Sequence, residues 1–331
     1  MTWSKLNPTT NLAGNFSVRI SAMAFTKFLK VPRALRFLPS NSAFQTTHQL
    51  RLLPRIHFSQ PAIGTRLSST QSPHNPPNSS VDPTEVSHFN ALASSWWDPH
   101  GPSRLLHLMN PLRHQFITRC RSSISMSVSS NPPQLRYLDI GCGGGIFAES
   151  AARLPGTVSV TAIDPTPEVL KIAEAHRRRD PTLLKDGRLT YLNKSIEELP
   201  IPSSPAEGYD VVTLFEVIEH VKDPGPFLER VIQQVKPGAW LILSTVARTW
   251  TSWLVTNVMA EDVLRIVPKG THDWKKYINE KELKDWFGKR GWGSNGGMKT
   301  MGVIYVPGFG WKEVPGGEDW GNYFFGVRRD A

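Results

Sequence analysis

The sequence predicts an α/β domain, a mostly parallel sheet with helices on both faces, preceded by a long leader. Three observations carry that reading. A short apolar run at 135–140 enters a turn with glycine at 141, 143, 144 and 145, followed by small and apolar residues at helical spacing (Ile146, Phe147, Ala148, Ala151, Ala152, Leu154). Such a strand, glycine turn and helix form the ligand-cradling unit of an open parallel sheet, where the ligand sits beyond the carboxyl ends of the strands and near a helix N-terminus. Further along, short apolar runs alternate with helical patterns, as strand–helix–strand units require. Finally, residues 1–81 contain no Asp or Glu, which separates a leader from the folded remainder.

The leader carries a net charge of +9 of the chain's +10, whereas 82–331 holds 29 basic and 28 acidic side chains. The high isoelectric point therefore belongs to the leader, and nucleic acid is not an expected partner of the folded part. An Arg-rich, Ser-rich, acid-free segment with short amphipathic pieces such as 25–37 has the composition of a mitochondrial transit segment. A disordered basic tail is the alternative. Residues 70–80 have linker composition. No apolar run approaches the roughly 18 residues of a membrane-spanning helix. With only Cys120 and Cys142 there is no disulfide framework, which suits a reducing compartment.

The folded part opens with a helix capped by Asp82, with Pro83 in its first turn and Val86, Phe89, Leu92 and Ala93 as its apolar face. Ser-Trp-Trp-Asp-Pro-His-Gly (95–101) follows, then a helix over about 105–121, so that 82–133 form an N-terminal helical extension. The two tryptophans are either a packing anchor or a cover over a ligand or an apolar substrate tail. Arg113 is either a solvated helix charge or a ligand contact. The glycine turn itself reads Asp-x-Gly-x-Gly-x-Gly over 139–145. A dinucleotide fingerprint would need its third glycine at 146, which is Ile, so the turn suits an adenosyl ligand without a pyrophosphate.

The second strand, 157–163, ends at Asp164. An acid there can accept hydrogen bonds from both ribose hydroxyls or cap the following helix, 165–179. A third strand over 188–192 and a loop at 195–199 come next. The continuous apolar run 209–215 is a buried fourth strand, and at its end stands Glu216-Val-Ile-Glu219-His220. If a helical turn begins here, the three polar side chains converge. Two carboxylates and an imidazole suit a divalent cation. The metal-free alternative uses His220 as a general base, with Glu219 orienting it, or as packing. A helix over 226–235 closes at Lys-Pro-Gly (236–238), before a fifth strand at 240–245. Residues 247–276 then form an apolar insertion, broken mainly by Glu261, Asp262 and Arg265, which is either a membrane-interface segment or a buried lid. A helix at 280–290 and strands near 299–306 and 322–328 complete a seven-stranded sheet.

On Ser-Trp-Trp-Asp (95–98), Asn-Pro-Leu-Arg (110–113), Asp-Ile-Gly-Cys-Gly-Gly-Gly (139–145), Glu-x-x-Glu-His-Val (216–221) and Val-Pro-Lys-Gly-Thr-His-Asp-x-Lys-Lys (267–276), the chain resembles the ubiquinone-biosynthesis O-methyltransferase family in its mitochondrial form. The resemblance covers about 85–328, and the last motif is its most specific part. It implies a class I, Rossmann-like, S-adenosylmethionine-dependent methyltransferase fold. By resemblance, Arg113, Gly141, Asp164 and Phe215 would contact S-adenosyl-L-methionine, and Glu216, Glu219 and His220 would ligate Mg²⁺. The expected substrates are polyprenylated catechols, a dihydroxybenzoate and later a demethylubiquinol. The expected place is the matrix side of the mitochondrial inner membrane, where the protein would be peripheral, contacting lipid through the insertion and joining a multi-subunit complex. Two departures stand out: Pro165-Thr166 follow Asp164 where relatives often have Met-Gly or Ala-Ser, and Phe215 occupies a position of varied identity. The rival readings are a non-catalytic scaffold subunit and a methyltransferase for another small molecule. Generic methyltransferases lack the 247–276 insertion, and a dead copy has no need of Asp139, Asp164 and Glu-x-x-Glu-His.

Overall fold

The computed structural model describes residues 79–123, 134–185, 187–248 and 276–331. The leader up to 78, with its transit and linker readings, and nearly all of the 247–276 insertion lie outside the described residues. Eight strands form one sheet in the order β3-β2-β1-β4-β5-β8-β6-β7. They are β1 (Leu135–Ile140), β2 (Thr157–Ile163), β3 (Leu189–Leu192), β4 (Tyr209–Phe215), β5 (Val235–Val246), β6 (Met298–Val306), β7 (Gly310–Val314) and β8 (Asn322–Arg328). The first five pair in parallel, and β8, β6 and β7 continue the sheet antiparallel.

Strand order reverses between β1 and β4, because β2 and β3 extend to one side of β1 and β5 to the other. At such a switch point the loops after neighbouring strands diverge and leave a crevice at the strand ends. Successive residues on each strand enter opposite apolar layers, as the two-residue side-chain period dictates. Tyr137, Val211, Trp240 and Phe324 join the layer under α2 (Arg104–Ser122), α3 (Ile146–Ala152) and α4 (Pro167–Arg177). Their neighbours Leu138, Val212, Leu241 and Phe325 join the layer under α5 (Pro224–Ile232) and α6 (Glu280–Gly288).

The extension begins with α1 (Pro83–Leu92), where Asp82 caps by accepting from the Thr84 amide at 2.9 Å. The helix α2 lies against β8 where that strand has Gly326; a Cβ there would stand 2.7 Å from Cys120 Sγ. Glycine inside this strand therefore marks a close approach of helix to sheet. Burial accordingly pushes the Cys120 thiol up to about 12.

Two expectations need correction. The sheet has eight strands, not seven. Gly-Trp-Lys-Glu-Val of β7 is an edge strand with no fully buried residue, so no apolar run announces it. Lys236-Pro237-Gly238 does not stand outside β5. That strand already pairs at Val235 with Tyr209, and the register then shifts so that Trp240 meets Val211, leaving Lys-Pro-Gly as an irregularity within β5. Proline and a glycine at φ 77° fit a bulge for the same reason they fit a turn. Among the described residues no helix is long and apolar enough to cross a membrane.

Candidate functional site

The crevice is built on the glycine turn after β1. Gly141, Gly143 and Gly145 all have positive φ (68°, 52° and 83°), a backbone region that L side chains rarely occupy. The amides of Gly141 and Cys142 donate to the Ile163 carbonyl at 2.8 and 3.1 Å, which ties the turn to the end of β2. Asp164, the next residue, is buried and receives the Gly143 amide on Oδ2 and the Thr166 amide on Oδ1, both at 2.8 Å. It therefore braces the turn from β2, and burial raises its pKa. It does not cap α4: that helix starts at Pro167, with Thr166 as its N-cap residue.

The tryptophan pair covers this turn. Trp96 packs with Ile146 and Val169, and Phe89 closes the cluster from α1. A Cβ on Gly143 or Gly144 would collide with the Trp96 indole. The Trp97 Nε1–H donates to the Gly144 carbonyl at 2.9 Å, and its ring stacks on His176 at 3.5 Å and 4°. The Nδ1 of His176 lies 2.9 Å from the fully buried Glu149 carboxylate. The pair thus anchors the N-terminal extension on the glycine turn.

Arg113 projects from α2 and is buried, with its guanidinium 4.8 Å from the centre of the Phe215 ring. It is not a solvated helix charge. Burial lowers its pKa, and Glu216 and Asp139 oppose that shift. Among the described residues its Nε has no hydrogen-bond partner. Asp139, at the end of β1, is also buried, and accepts from Thr213 Oγ1 at 2.8 Å. Burial pushes its carboxyl up to about 7, although the Thr213 hydrogen bond and Arg113 act against the shift. Phe215 is enclosed by Phe147 and Phe324, with ring centres 4.8 and 6.2 Å away.

The turn after β4 closes the crevice from the other side of the switch point. Glu216 sits at φ 57°, a left-handed backbone conformation that costs a non-glycine residue about 1–3 kcal/mol. Its Oε1 accepts from Ser244 Oγ at 2.7 Å and its Oε2 from Asn322 Nδ2 at 3.2 Å. Val217 then packs on Gly141, where a Cβ would meet Val217 Cγ2 at 2.5 Å. Glu219 is buried and accepts from Thr245 Oγ1 at 2.9 Å. Burial, reinforced by the charge of Glu216, pushes its carboxyl up to about 7. His220 Nδ1 lies 3.1 Å from Glu85 Oε2 of α1. Burial disfavours its charged ring, but Glu85 and Glu219 outweigh that and raise the pKa.

A family model described as a methyltransferase domain matches residues 112–293. The ubiquinone biosynthesis O-methyltransferase, mitochondrial, of Candida albicans is 40% identical over 290 residues, spanning 76% of this chain and 86% of that protein. Its counterpart from Schizosaccharomyces pombe (strain 972 / ATCC 24843) is 45% identical over 233 residues, 70% of this chain and 78% of that protein. A bacterial ubiquinone biosynthesis O-methyltransferase, from Salmonella enteritidis PT4 (strain P125109), is 42% identical over 207 residues, 62% of this chain and 78% of that one. This chain belongs to the ubiquinone biosynthesis O-methyltransferase family. Among solved structures, the plantazolicin methyltransferase BpumL in complex with a pentazolic desmethylPZN analog and SAH is matched at 17% identity and a TM-score of 0.48, over 75% of this chain and 98% of that one.

For a ubiquinone biosynthesis O-methyltransferase, the crevice holds what an adenosyl ligand with a charged amino-acid end needs. These are a glycine turn at positive φ, the buried Asp164 that braces it, and, beside Phe215, a buried guanidinium with an unpartnered Nε. The expected metal set is differently placed. Only Ile218–His220 form a helical turn, of the tighter 3₁₀ kind, so Glu216 stands outside it. Each of the three donors has its own protein partner, and among the described residues no three such side chains gather as a metal site. The donor chemistry nevertheless fits a cation, since a positive ion would relieve the repulsion between Glu216 and Glu219. Sequence reading missed Glu85, Ser244, Thr245 and Asn322. Glu85 looks like an ordinary first-turn acid of a helix, and the other three like unremarkable strand residues.

Proposed function

We propose that this protein transfers a methyl group from S-adenosylmethionine to a catechol hydroxyl of polyprenylated ubiquinone precursors, a 3,4-dihydroxy-5-polyprenylbenzoate and a demethylubiquinol. The observation that carries the reading is one crevice flanked by two groups of residues. Gly141 lies in the turn after β1 and Asp164 at the end of β2 braces that turn, Arg113 of α2 is buried beside Phe215 at the end of β4, and Glu216, Glu219 and His220 follow β4, with Val217 packed on Gly141. Membership of the family supplies the substrate class.

When bound, the cofactor supplies an electrophilic methyl on sulfur, and Mg²⁺ would supply positive charge beside the phenolic oxygens. Arg113 offers buried donors to the anionic end of the cofactor, Asp164 keeps acceptor capacity for its ribose, and Phe215 gives its binding wall shape. Glu216, Glu219 and His220 are the residues that would hold the cation. Where no cation is held, His220 would instead take the phenolic proton as general base, and a hydroxyl relieved of its proton is the better nucleophile. The remaining contribution is orientation of the oxygen in line with the methyl.

The same reading assigns residues 1–81 to a mitochondrial transit segment and 82–331 to the methyltransferase domain. It places the mature protein as a peripheral protein on the matrix side of the inner membrane, within a multi-subunit complex. The insertion 247–276, apolar and rimmed by Trp and Lys, would meet the lipid in which a polyprenyl tail resides. Methyl transfer to a short-chain prenylated catechol, with and without chelator, tests the proposal. Cofactor-dependent methylation that falls on chelation and returns with Mg²⁺ is expected. An enzyme that binds S-adenosylmethionine yet leaves the catechol unmethylated would overturn it.

A further inference from the structure

The sequence suggests its neighbour Glu219 as the group that orients His220. The structure gives that place to a residue from another element. Glu219 Oε2 is taken by the Thr245 hydroxyl, whereas His220 Nδ1 faces Glu85 Oε2 at 3.1 Å. The other carboxylate oxygen of Glu85, Oε1, receives Lys276 Nζ at 3.0 Å, and Lys276 also lies 3.7 Å from Asp82. Phe89, on the same helix as Glu85, sets its ring edge-on against the imidazole, with centres 5.1 Å apart at 81°. His220 is therefore held on one side by a carboxylate that is itself held, and on another by an aromatic ring.

The Glu85 carboxyl lies between Lys276 Nζ and His220 Nδ1, an ammonium donor and a ring nitrogen, a setting that suits its ionised form. An ionised carboxylate can only accept, so Nδ1 carries the proton in this pair. A neutral ring then keeps its lone pair on Nε2.

We propose that Glu85 is a positioning residue of the reaction: it fixes the tautomer and ring orientation of His220, so that Nε2 is the nitrogen offered to the substrate hydroxyl or to a cation. The inference rests on the proposed reading of His220 as a reaction-site residue. It assigns a task to the first helix of the N-terminal extension, which brings Glu85 to the site across 135 sequence positions.

The test compares Glu85→Ala, Glu85→Leu, Glu85→Gln and His220→Ala in the full chain. Nitrogen NMR of histidine-labelled protein without cofactor or metal, at a pH above the His220 transition and assigned by the signal lost in His220→Ala, is expected to show a single Nδ1–H tautomer in wild type. Mixed tautomers are expected in Glu85→Ala and Glu85→Leu. In both, kcat is expected to fall about 10- to 100-fold, as for partners that orient a functional histidine. S-adenosylmethionine affinity should stay within a few-fold of wild type, and Glu85→Gln, which can still accept from Nδ1, should recover much of the lost rate. Glu85→Leu fills the side-chain volume, so it is read in place of Glu85→Ala should that variant not fold. Wild-type kcat and an unchanged tautomer in Glu85→Leu, beside an inactive His220→Ala, would overturn this inference alone. An active His220→Ala would overturn the reading of the site instead.

Discussion

Trp96 lies on Gly143 and Gly144 so closely that neither can carry a side chain. Gly144→Ala is therefore expected to lower S-adenosylmethionine affinity at least tenfold, about 1.4 kcal/mol, and to lower the melting temperature. Adding Trp96→Ala should restore part of both, because the two changes share one contact and will not add. Calorimetric titration of the four variants of that cycle decides it. Across the crevice, Glu219→Ala and His220→Ala are expected to reduce kcat by about 100-fold or more with cofactor binding little changed. Activity within a few-fold of wild type in both would remove the turn after β4 from the chemistry. At this scale the sequence exposed chemistry-bearing residues but not their partners. Arg113 could be singled out from its motif, yet only its burial against Phe215 shows that it is no surface charge.

The N-terminal extension is the element whose importance the structure raises most. The helix α2 carries His114, whose Nε2 lies 2.7 Å from Ser150 Oγ. Burial, with Arg113 beside it, lowers the His114 pKa to about 4. The folded pKa lies below the unfolded one, so protonation favours the unfolded chain. Stability is retained above about pH 6.5 and lost as pH falls towards about 4, by on the order of 1–3 kcal/mol. Urea unfolding at about pH 7 and about pH 5 should show this loss as the difference between wild type and His114→Gln, because Asp139 and Glu219, whose pKa values are raised, shift stability the other way in both proteins. For the insertion, removal of 253–264 is expected to weaken sedimentation with liposomes, and unchanged sedimentation favours a buried lid. Element types were legible wherever one face is buried: β1, β2, β4 and β8 follow from apolar runs alone. The strand β7 was not, since an edge strand with no fully buried residue leaves no periodic trace.

For the molecule as a whole, the 82–331 part should fold and bind S-adenosylmethionine without the leader, and titration of that fragment checks it. Phe324, fully buried in β8, has its ring centre 5.5 Å from Phe116 of α2 and 6.2 Å from Phe215 of β4. Phe324→Ala is expected to cost about 3–5 kcal/mol of stability, read from urea unfolding. It should also reduce kcat in the folded protein, because Phe215 directly precedes Glu216. The sequence by itself determined the α/β class, the glycine turn, the acids ending β1 and β2, and the cluster ending β4. Each of those is written in residues a few positions apart, where backbone sterics and side-chain period act directly. Only the tertiary structure decided that β8 runs between β5 and β6, that two tryptophans roof the turn, and that Glu85 meets His220 across 135 positions. Contacts so far apart in the chain are selected by how whole layers pack, and no local pattern encodes that choice.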